Sequence, residues 1–279
     1  MEVSPSGYYG WRKRLTKPPS LRRQSLKQLV RNCYWENRKR YGTRRIRADL
    51  QKSGVKIGRF QIRRMRQEEG LKAIQPKSFQ PKTTDSKGVK AAPNLLAEIK
   101  WEEGAMGKVI IGDITYLPLR NGKFCYLAMW QDKVTRRIIG WSVADAMTAE
   151  LVISALEKAI RKGLVKAGAI MHSDRGSQYA ANAFRFLLQT RCFRQSMSGK
   201  GNCYDNAQAE SFFSRFKAEL LEGGVFEDVE QAKSEVFSYI EGYYNRVRLH
   251  SSLGYKSPME FELELKAKNN GGKVSFVSI

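Results

Sequence analysis

The stretch GKVIIGDITYLPL, residues 107–119, is an apolar and β-branched run that holds a single acidic residue, Asp113. Two runs of the same kind follow, FCYLAMWQDKV (124–134) and RIIGWSVAD (137–145), and turn-forming residues separate the three. Short spacing of this kind predicts an antiparallel meander. An ionised aspartate inside a strand is costly unless its charge is compensated, so Asp113 is either a metal ligand or a solvent-facing residue of an edge strand.

Helix and strand patterns alternate after the meander. TAELVISALEKAIRKG (148–163) predicts an amphipathic helix, AGAIMHSD (167–174) a strand, and SQYAANAFRFLLQTR (177–191) a second helix. A short strand, FRQSMS (193–198), and a helix from Asp205, DNAQAESFFSRFKAELL, complete the order. The order β-β-β-α-β-α-β-α predicts an α/β domain of the ribonuclease H type, in which helices flank a mixed five-stranded sheet.

The last fifty residues predict one long helix and a polar ending. The run from Asp228 to about Arg246 places apolar side chains on one face, which we expect to pack on the core: Val236, Phe237, Ile240, Tyr243 and Tyr244. The segment NRVRLHSSLGYKSPMEFE, which follows, is polar and rich in turn-forming residues. Residues 266–279 are predicted to be a mobile tail.

Most of the positive charge of the chain lies in its N-terminal third. Of a net charge of +23, residues 1–90 supply +19, from 25 basic and 6 acidic side chains. Helical periodicity over Leu21–Cys33, Tyr41–Gln51 and 59–70 gives this region the outline of a helix-turn-helix, which would bind the nucleic acid polyanion. A solvated basic face is the alternative. The candidate DNA-binding residues of this region are Arg44, Arg45, Arg63 and Arg64.

These patterns divide the chain into four parts. Residues 1–74 form a basic all-α module, and residues 75–97, which include a Pro-, Lys-, Ser- and Thr-rich stretch without hydrophobic period, form a linker. Residues 98–265 form the α/β catalytic domain with its C-terminal helix, and residues 266–279 form the tail.

Several classes of protein are disfavoured by composition. No stretch approaches the roughly 18 consecutive apolar residues of a membrane span, and the N-terminus MEVSPSGYYGW has no apolar signal core. We therefore expect a cytoplasmic protein that works on the bacterial nucleoid and binds no membrane. The four cysteines form no CxxC pair, which predicts free thiols rather than a zinc site or a disulfide framework. They are Cys33, Cys125, Cys192 and Cys203.

Two further acids stand where a catalytic site could form. Asp174 directly follows a predicted strand, where ligands of open α/β sheets bind, although a turn or helix-capping role is an alternative. Glu210 lies one turn into a predicted helix, where a surface role is common. Lys217 lies two helical turns beyond Glu210, on the same face. Together with Asp113, these acids can converge on one point.

A family resemblance covers nearly the whole chain. The motifs SPSGYYGW, RYGTRRI, GDITYL, HSDRGSQY, SMSGKGNCYDNAQAESFFSRFK and YYNRVRLHSSLGYKSP resemble those of bacterial insertion-sequence transposases of the IS3 group, specifically the second-frame (OrfB) product, in the retroviral integrase superfamily. The 35 residues between Asp174 and Glu210 fit the D,D(35)E pattern of that superfamily. Ile110 and Gly112 depart from the pattern, which often has Trp and Thr at these positions.

The resemblance implies an activity and a set of partners. Asp113, Asp174 and Glu210 would be the DDE triad, which holds two Mg²⁺ (or Mn²⁺) ions and catalyses cleavage of element ends and transfer of the 3′-hydroxyl into DNA. The partners would be the terminal inverted repeats and target DNA, bound by at least a dimer on paired ends. The active enzyme of this family is often a frameshift fusion with an upstream segment. The DNA contacts near the site would be Lys217, Arg215 and Lys200.

Some assignments stay open at the level of sequence. His172 is either a general base or a packing residue, and Arg248 and His250 either reach DNA or cap the core. A non-catalytic DNA-binding regulator and a structure-specific nuclease of the ribonuclease H type are the alternatives to a transposase.

Overall fold

The computed structural model describes residues 4–16, 20–76, 92–96, 106–199, 206–221 and 224–269. The chain divides into two units, Met1–Ile74 and Gln75–Ile279, each with its own core. Cys203, Lys200, most of the predicted linker and the end of the predicted tail lie outside the described residues. In the described part, no helix is both long enough and apolar enough to span a membrane.

The N-terminal unit is helical, as the sequence predicts. Its helices are α1 (Pro5–Thr16), α2 (Leu21–Glu36), α3 (Thr43–Lys52) and α4 (Arg59–Glu68). The Ser20 hydroxyl caps α2 by accepting the N–H of Arg23 at 3.3 Å. Gly54 lies in the turn between α3 and α4 with φ of +77°, a left-handed conformation that favours glycine. The core side chains of α2, α3 and α4 are Val30, Tyr34, Ile46, Leu50, Ile62 and Met65.

The second unit is built on one mixed sheet of five strands. The strands are β1 (Val109–Pro118), β2 (Phe124–Asp132), β3 (Ile138–Ala144), β4 (Ile170–Ser173) and β5 (Arg194–Met197). Their order across the sheet is β3-β2-β1-β4-β5. β2 is antiparallel to both β1 and β3, whereas β4 is parallel to both β1 and β5. The predicted meander and the predicted mixed five-stranded sheet are confirmed.

Helices cover both faces of this sheet. On one face α5 (Ala149–Arg161), α6 (Ser177–Ala180) and α7 (Asn182–Thr190) bury a cluster that includes Ile110 and Trp130 of the sheet. On the other face α8 (Ala207–Leu221), α9 (Val229–Phe237) and a π-helix (Ser238–Tyr244) bury a cluster that includes Ile111 and Leu117. Neighbouring residues of β1 therefore face opposite layers, as strand geometry requires.

The C-terminal region differs from the prediction in two ways. The long helix continues as a π-helix, and its core face runs through Val236, Ile240 and Tyr244, four residues apart. Phe237, predicted to face the core, is instead 59% exposed, because it flanks this line and contacts the Trp141 ring. The segment predicted to be polar and turn-rich contains a 3₁₀ turn (Ser251–Leu253) and a further helix, α10 (Pro258–Asn269).

Part of the predicted linker packs on the sheet. Leu96 is buried against Val109 and Ile170, and the N–H of Leu95 donates to the Ser196 hydroxyl at 3.0 Å. Residues 92–96 therefore belong to the second unit, because Leu95 and Leu96 pack against β1 and β4.

Candidate active site

The pairing of β1 with β4 brings two of the predicted acids side by side. The pairing of these parallel strands ends with Ile111 opposite His172. Asp113 lies two residues beyond Ile111, and Asp174 lies two residues beyond His172, directly after β4, so the same register places them at neighbouring positions. Adjacent strands lie about 4.8 Å apart. The order of the sheet, rather than closeness in sequence, therefore brings Asp113 and Asp174 together.

The third predicted acid lies on the helix that covers this face of the sheet. Asp113 alternates with Ile110 and Gly112 and shares its face of β1 with Ile111, which packs in the same cluster as α8. Glu210 is an exposed residue in the first turn of α8. The structure thus places Asp113 between a neighbouring strand end and the start of α8.

The pKa of Asp113 is affected by both of the other acids, Asp174 and Glu210. Burial raises the pKa of Asp113 well above its ordinary value, and the charges of Asp174 and Glu210 raise it further. The N–H of Ile114, 2.8 Å from Oδ1, and the charge of Lys217 oppose this rise. Two like charges thus act on the partly buried Asp113, an arrangement that favours a bound cation.

Asp174 is held in a turn at the end of β4. Its Oδ1 accepts the N–H of Gly176 at 3.0 Å, which orients the carboxylate while leaving the residue exposed. Desolvation of the carboxyl group by the surrounding protein raises the pKa of Asp174, and the hydrogen bond from the Gly176 N–H opposes this shift. Of the two alternatives that the sequence left open, Asp174 takes the turn role and does not cap α6. The turn role is compatible with a ligand role, since the second carboxylate oxygen keeps its lone pairs.

The acids do not form a closed ligand set. In the described ranges, no three His, Cys, Asp or Glu side chains lie close enough together to hold a metal ion. Glu210 lies in the first turn of α8, a few residues after 200–205, which lie outside the described part of the chain. The charges of Asp174 and Glu210 both act on Asp113, and an ion bound by all three carboxylates would require them to move closer.

Lys217 lies beside the acids, whereas the other described candidates for DNA contact lie elsewhere on α8 or in the N-terminal unit. Its Nζ is 3.8 Å from the centroid of the Tyr116 ring. Burial lowers the pKa of Lys217, and the charge of Asp113 opposes this shift. The ammonium group of Lys217 is therefore close enough to Asp113 for their charges to interact. Arg215 is half-buried on the same helix. In the N-terminal unit Arg44, Arg63 and Arg64 are exposed, whereas half-buried Arg45 donates to the carbonyl of Arg40 at 3.5 Å.

Tyr179 is a residue of this site that the sequence analysis did not single out. Its side chain is 1% exposed, and its ring packs edge-on against Trp130 and Phe184. The hydroxyl has no hydrogen-bond partner among the described residues. Burial raises its pKa well above the ordinary value, and the charges of Asp174 and Asp113 add to the shift. The motif HSDRGSQY, which also holds Asp174, was the available signal.

The two histidines have structural surroundings. His172 is fully buried, and its Nδ1 and Nε2 are 2.9 and 3.2 Å from the hydroxyls of Ser196 and Ser198. The His250 ring packs edge-on against Tyr244. Arg248 is 3% exposed and donates to Glu219, so its DNA-contact interpretation is wrong and the core-cap interpretation is confirmed.

The departure at Gly112 has a steric cause. Gly112 pairs with Trp130 across β1 and β2, and a Cβ at position 112 would lie 2.5 Å from Cζ3 of that ring. The ring is fixed, because its Nε1 donates to the carbonyl of Val152 at 3.1 Å and it stacks on Phe184. The indole from β2 fills the space that a larger residue at position 112 would need.

We expect Gly112→Ala to destabilise the protein by about 1–3 kcal/mol, the usual cost of overpacking a well-packed core. Gly112→Thr, which restores the residue common in the family, should cost more because it is larger. Urea unfolding measures the effect. The control is Gly242→Ala, where an added Cβ meets nothing within 4 Å. Equal stabilities for the position 112 and 242 variants would contradict the steric account.

Comparisons with known proteins define the class of the chain. The Integrase core domain family matches residues 104–203, a second family of the same description matches residues 191–258, and the HTH-like domain family matches residues 21–79. The insertion element IS600 31 kDa protein of Shigella sonnei is 39% identical over 262 residues, which cover 93% of this chain and 94% of that protein. The transposase InsF for insertion sequence IS3A of Escherichia coli (strain K12) is 36% identical over 264 residues, covering 94% and 91%.

Solved structures with a related arrangement include the catalytic core domain of HTLV-2 integrase in complex with magnesium. It is 15% identical, covers 56% of this chain and 96% of that chain, and has a TM-score of 0.43. The identity and coverage of the sequence relatives are decisive: this chain belongs to the IS3 family of insertion-sequence transposases.

Proposed function

We propose that this transposase cleaves the ends of its insertion element and joins the freed 3′-hydroxyl to DNA, with Asp113, Asp174 and Glu210 as metal ligands. The observation that carries the proposal is the position of Asp113. It lies next to Asp174 across the parallel strands β1 and β4, and the charges of Asp174 and Glu210 both raise its pKa. Asp113 is thus the point where the three acids interact.

The donor set suits magnesium or manganese. All three ligands are carboxylates, the hard oxygen donors that Mg²⁺ prefers, and a cation would offset the repulsion that raises the pKa of Asp113. Two such ions would activate the attacking oxygen and stabilise the leaving oxygen of a phosphodiester.

Other residues of the site would orient the DNA backbone. Lys217 supplies a positive charge next to Asp113, where a scissile phosphate would be bound. The ammonium group of Lys217 lies over the Tyr116 ring, which orients it. The buried Tyr179 hydroxyl can donate to a ligand oxygen on the Asp174 side of the site. Lys200 and Arg215 are proposed as further backbone contacts.

The partners follow from the two units. We propose that the basic N-terminal unit binds the terminal inverted repeats through Arg44, Arg45, Arg63 and Arg64, while the second unit binds the cleaved end and the target. Two DNA ends must be joined in one reaction, so at least two copies of the chain would act together. The nucleoid of the bacterial cytoplasm would be the place of action.

The alternatives predict different products. A DNA-binding regulator yields no new phosphodiester bond, and a nuclease of the same fold yields cleaved ends that are never joined. The test uses the full chain, duplexes that end in the terminal repeats flanking its coding sequence, and a supercoiled target. Joined product that requires Mg²⁺ or Mn²⁺ and disappears with EDTA supports the proposal; cleavage without joining supports the nuclease.

We expect Glu210→Gln to abolish joining, because it removes one charged ligand, while leaving stability nearly unchanged, because the residue is exposed. The matched control is Glu230→Gln, another exposed glutamate in the first turn of a helix of the same unit. It should join at the wild-type rate. If both variants join equally well, Glu210 is not a ligand and the proposed triad is wrong.

A further inference from the structure

The surface in question is the exposed face of α4 in the N-terminal unit. α4 buries Ile62 and Met65 against α2 and α3. The side chains on its outer face are spaced i, i+3, i+4 and i+7, so they form one continuous stripe along the helix. They are Phe60, Arg63, Arg64 and Gln67, all exposed. We call these four residues the α4 outer face.

Phe60 stands out on this face. It is 74% exposed, although the unit has an apolar core nearby that Ile57 and Ile62 enter. The guanidinium of Arg59 lies over its ring at 5.6 Å from the centroid. One exposed apolar residue has no meaning by itself, so the surroundings of Phe60 decide its interpretation.

The charge around α4 is distributed unequally along the helix. At the C-terminal end Glu68 and Glu69 are paired with cations: Glu68 with Arg23 of α2 and with Arg64 of α4 itself at 3.1 Å, and Glu69 with Lys27 at 2.7 Å and Arg31 of α2. At the N-terminal end Arg59 and Arg63 form no ion pair among the described residues. The positive end of the helix dipole adds to their charge. Phe60 is therefore exposed within the most positive part of the helix, a setting complementary to DNA.

The position of α4 in the unit indicates which part of DNA it meets. α3, the turn at Gly54 and α4 form a helix-turn-helix, and in this arrangement the N-terminal residues of the second helix approach base edges in the major groove. Phe60 is the second residue of α4. An apolar ring at this point can contact only one apolar group on a major-groove edge, the 5-methyl group of thymine.

We propose that Phe60 reads a thymine methyl group in the sequence that this transposase recognises, while Arg63 and Arg64 bind the adjoining phosphates. The inference rests on the proposed binding of element DNA by the N-terminal unit. It makes Phe60 a specificity-determining residue, because deoxyuridine presents the same hydrogen-bonding groups as thymidine and lacks only the methyl group.

The experiment compares thymidine with deoxyuridine at single positions. The full chain selects its preferred sequence from a library of random DNA duplexes, and each thymidine of the selected duplex is then replaced by deoxyuridine. For the wild type we expect about a fourfold loss of affinity at one or two positions, the effect of burying one methyl group. Phe60→Ala should bind more weakly and should no longer distinguish the two duplexes.

Two further variants make the test specific. Phe186→Ala removes another exposed phenylalanine, on α7, and should keep the wild-type preference for thymidine. Phe60→Leu keeps an apolar side chain and should keep part of the preference. Circular dichroism melting checks folding, which we expect to be unchanged because Phe60 lies outside the core.

The inference is overturned if the wild type is indifferent to deoxyuridine at every position, or if Phe60→Ala retains the preference. A chain that selects no sequence also overturns it. None of these results bears on catalysis, because metal-dependent joining by the same preparation is measured separately.

Discussion

Asp113→Asn is expected to stabilise the metal-free protein and to reduce DNA joining by about a thousandfold or more. The carboxylate is partly buried, accepts one backbone N–H and faces the charges of Asp174 and Glu210. A neutral amide removes that repulsion, and we expect a gain on the order of 1 kcal/mol, the size of a typical single-substitution effect. The same change would remove one of the proposed ligands from ions that would supply several kcal/mol of transition-state stabilisation. Urea unfolding in EDTA and the joining assay measure the two effects.

The stability difference should depend on pH with a definite sign. Because the pKa of Asp113 is raised in the folded protein, the folded state binds more protons than the unfolded state between the two pKa values. The contribution of Asp113 to stability therefore falls as pH rises through that interval. Asp113→Asn lacks this group, so its gain in unfolding free energy over the wild type should be small at acidic pH. The gain should be complete above the raised pKa of Asp113.

A second aspartate in the same sheet provides the control. Burial also raises the pKa of Asp132, but its carboxylate accepts four hydrogen bonds, from the N–H of Gly107, Val134 and Thr135 and from the Thr135 hydroxyl. Asp132→Asn should destabilise the protein, since an amide NH₂ would face these donors. A stabilising effect of Asp132→Asn, or a destabilising effect of Asp113→Asn in EDTA, would contradict our account of the acidic cluster.

The sheet and its acids could be predicted because each rests on a local pattern. The run around Asp113 is rich in the β-branched residues that strands favour, and Asp174 directly follows a short apolar run. The order of helices and strands then restricts the topology, which places the end of β4 next to the middle of β1. The proximity of two acids 61 positions apart in the numbering is a property of that topology.

Features that depend on particular side-chain contacts could not be predicted. The reason for Gly112 is the Trp130 ring on the neighbouring strand, and register decides which residues meet there. The Tyr179 hydroxyl lies near the acids because α6 packs its ring under Trp130. α1 has no buried residue in its described part, so no apolar periodicity marked it in the sequence.

The role of Arg248 was open for the same reason. An arginine in a polar, turn-rich segment is normally exposed, and its burial depends on a carboxylate 29 positions earlier, on another helix. Sequence patterns reveal the spacing of apolar residues and the positions of turn residues. They carry no information about which two distant charged side chains will pair.

The ion pair between Glu219 and Arg248 leads to the largest stability effect that we expect. Both side chains are buried: Arg248 donates from Nε to Oε2 at 3.0 Å and from Nη2 to Oε1 at 2.7 Å, and the Tyr239 hydroxyl donates to Oε2 at 2.8 Å. Burial by itself lowers the pKa of Arg248, but the hydrogen bonds and charge of Glu219 reverse this and raise it. The pair joins α8, which carries Glu210 and Lys217, to the C-terminal segment.

Glu219→Gln should destabilise the protein by about 3–5 kcal/mol, because it leaves a buried guanidinium without a counter-charge. That is a large part of the roughly 5–15 kcal/mol by which domains are stable, so urea unfolding resolves it easily. Glu230→Gln is the control: its partner Lys233 is exposed, and surface pairs contribute about 0–1 kcal/mol. Replacing the whole network by apolar side chains, with Glu219→Leu, Tyr239→Phe and Arg248→Met together, should recover most of the loss. If Glu219→Gln costs no more than Glu230→Gln, the stability of the protein does not depend on this charge pair. If the triple variant is less stable than Glu219→Gln, the uncompensated guanidinium charge is not the cause of the loss.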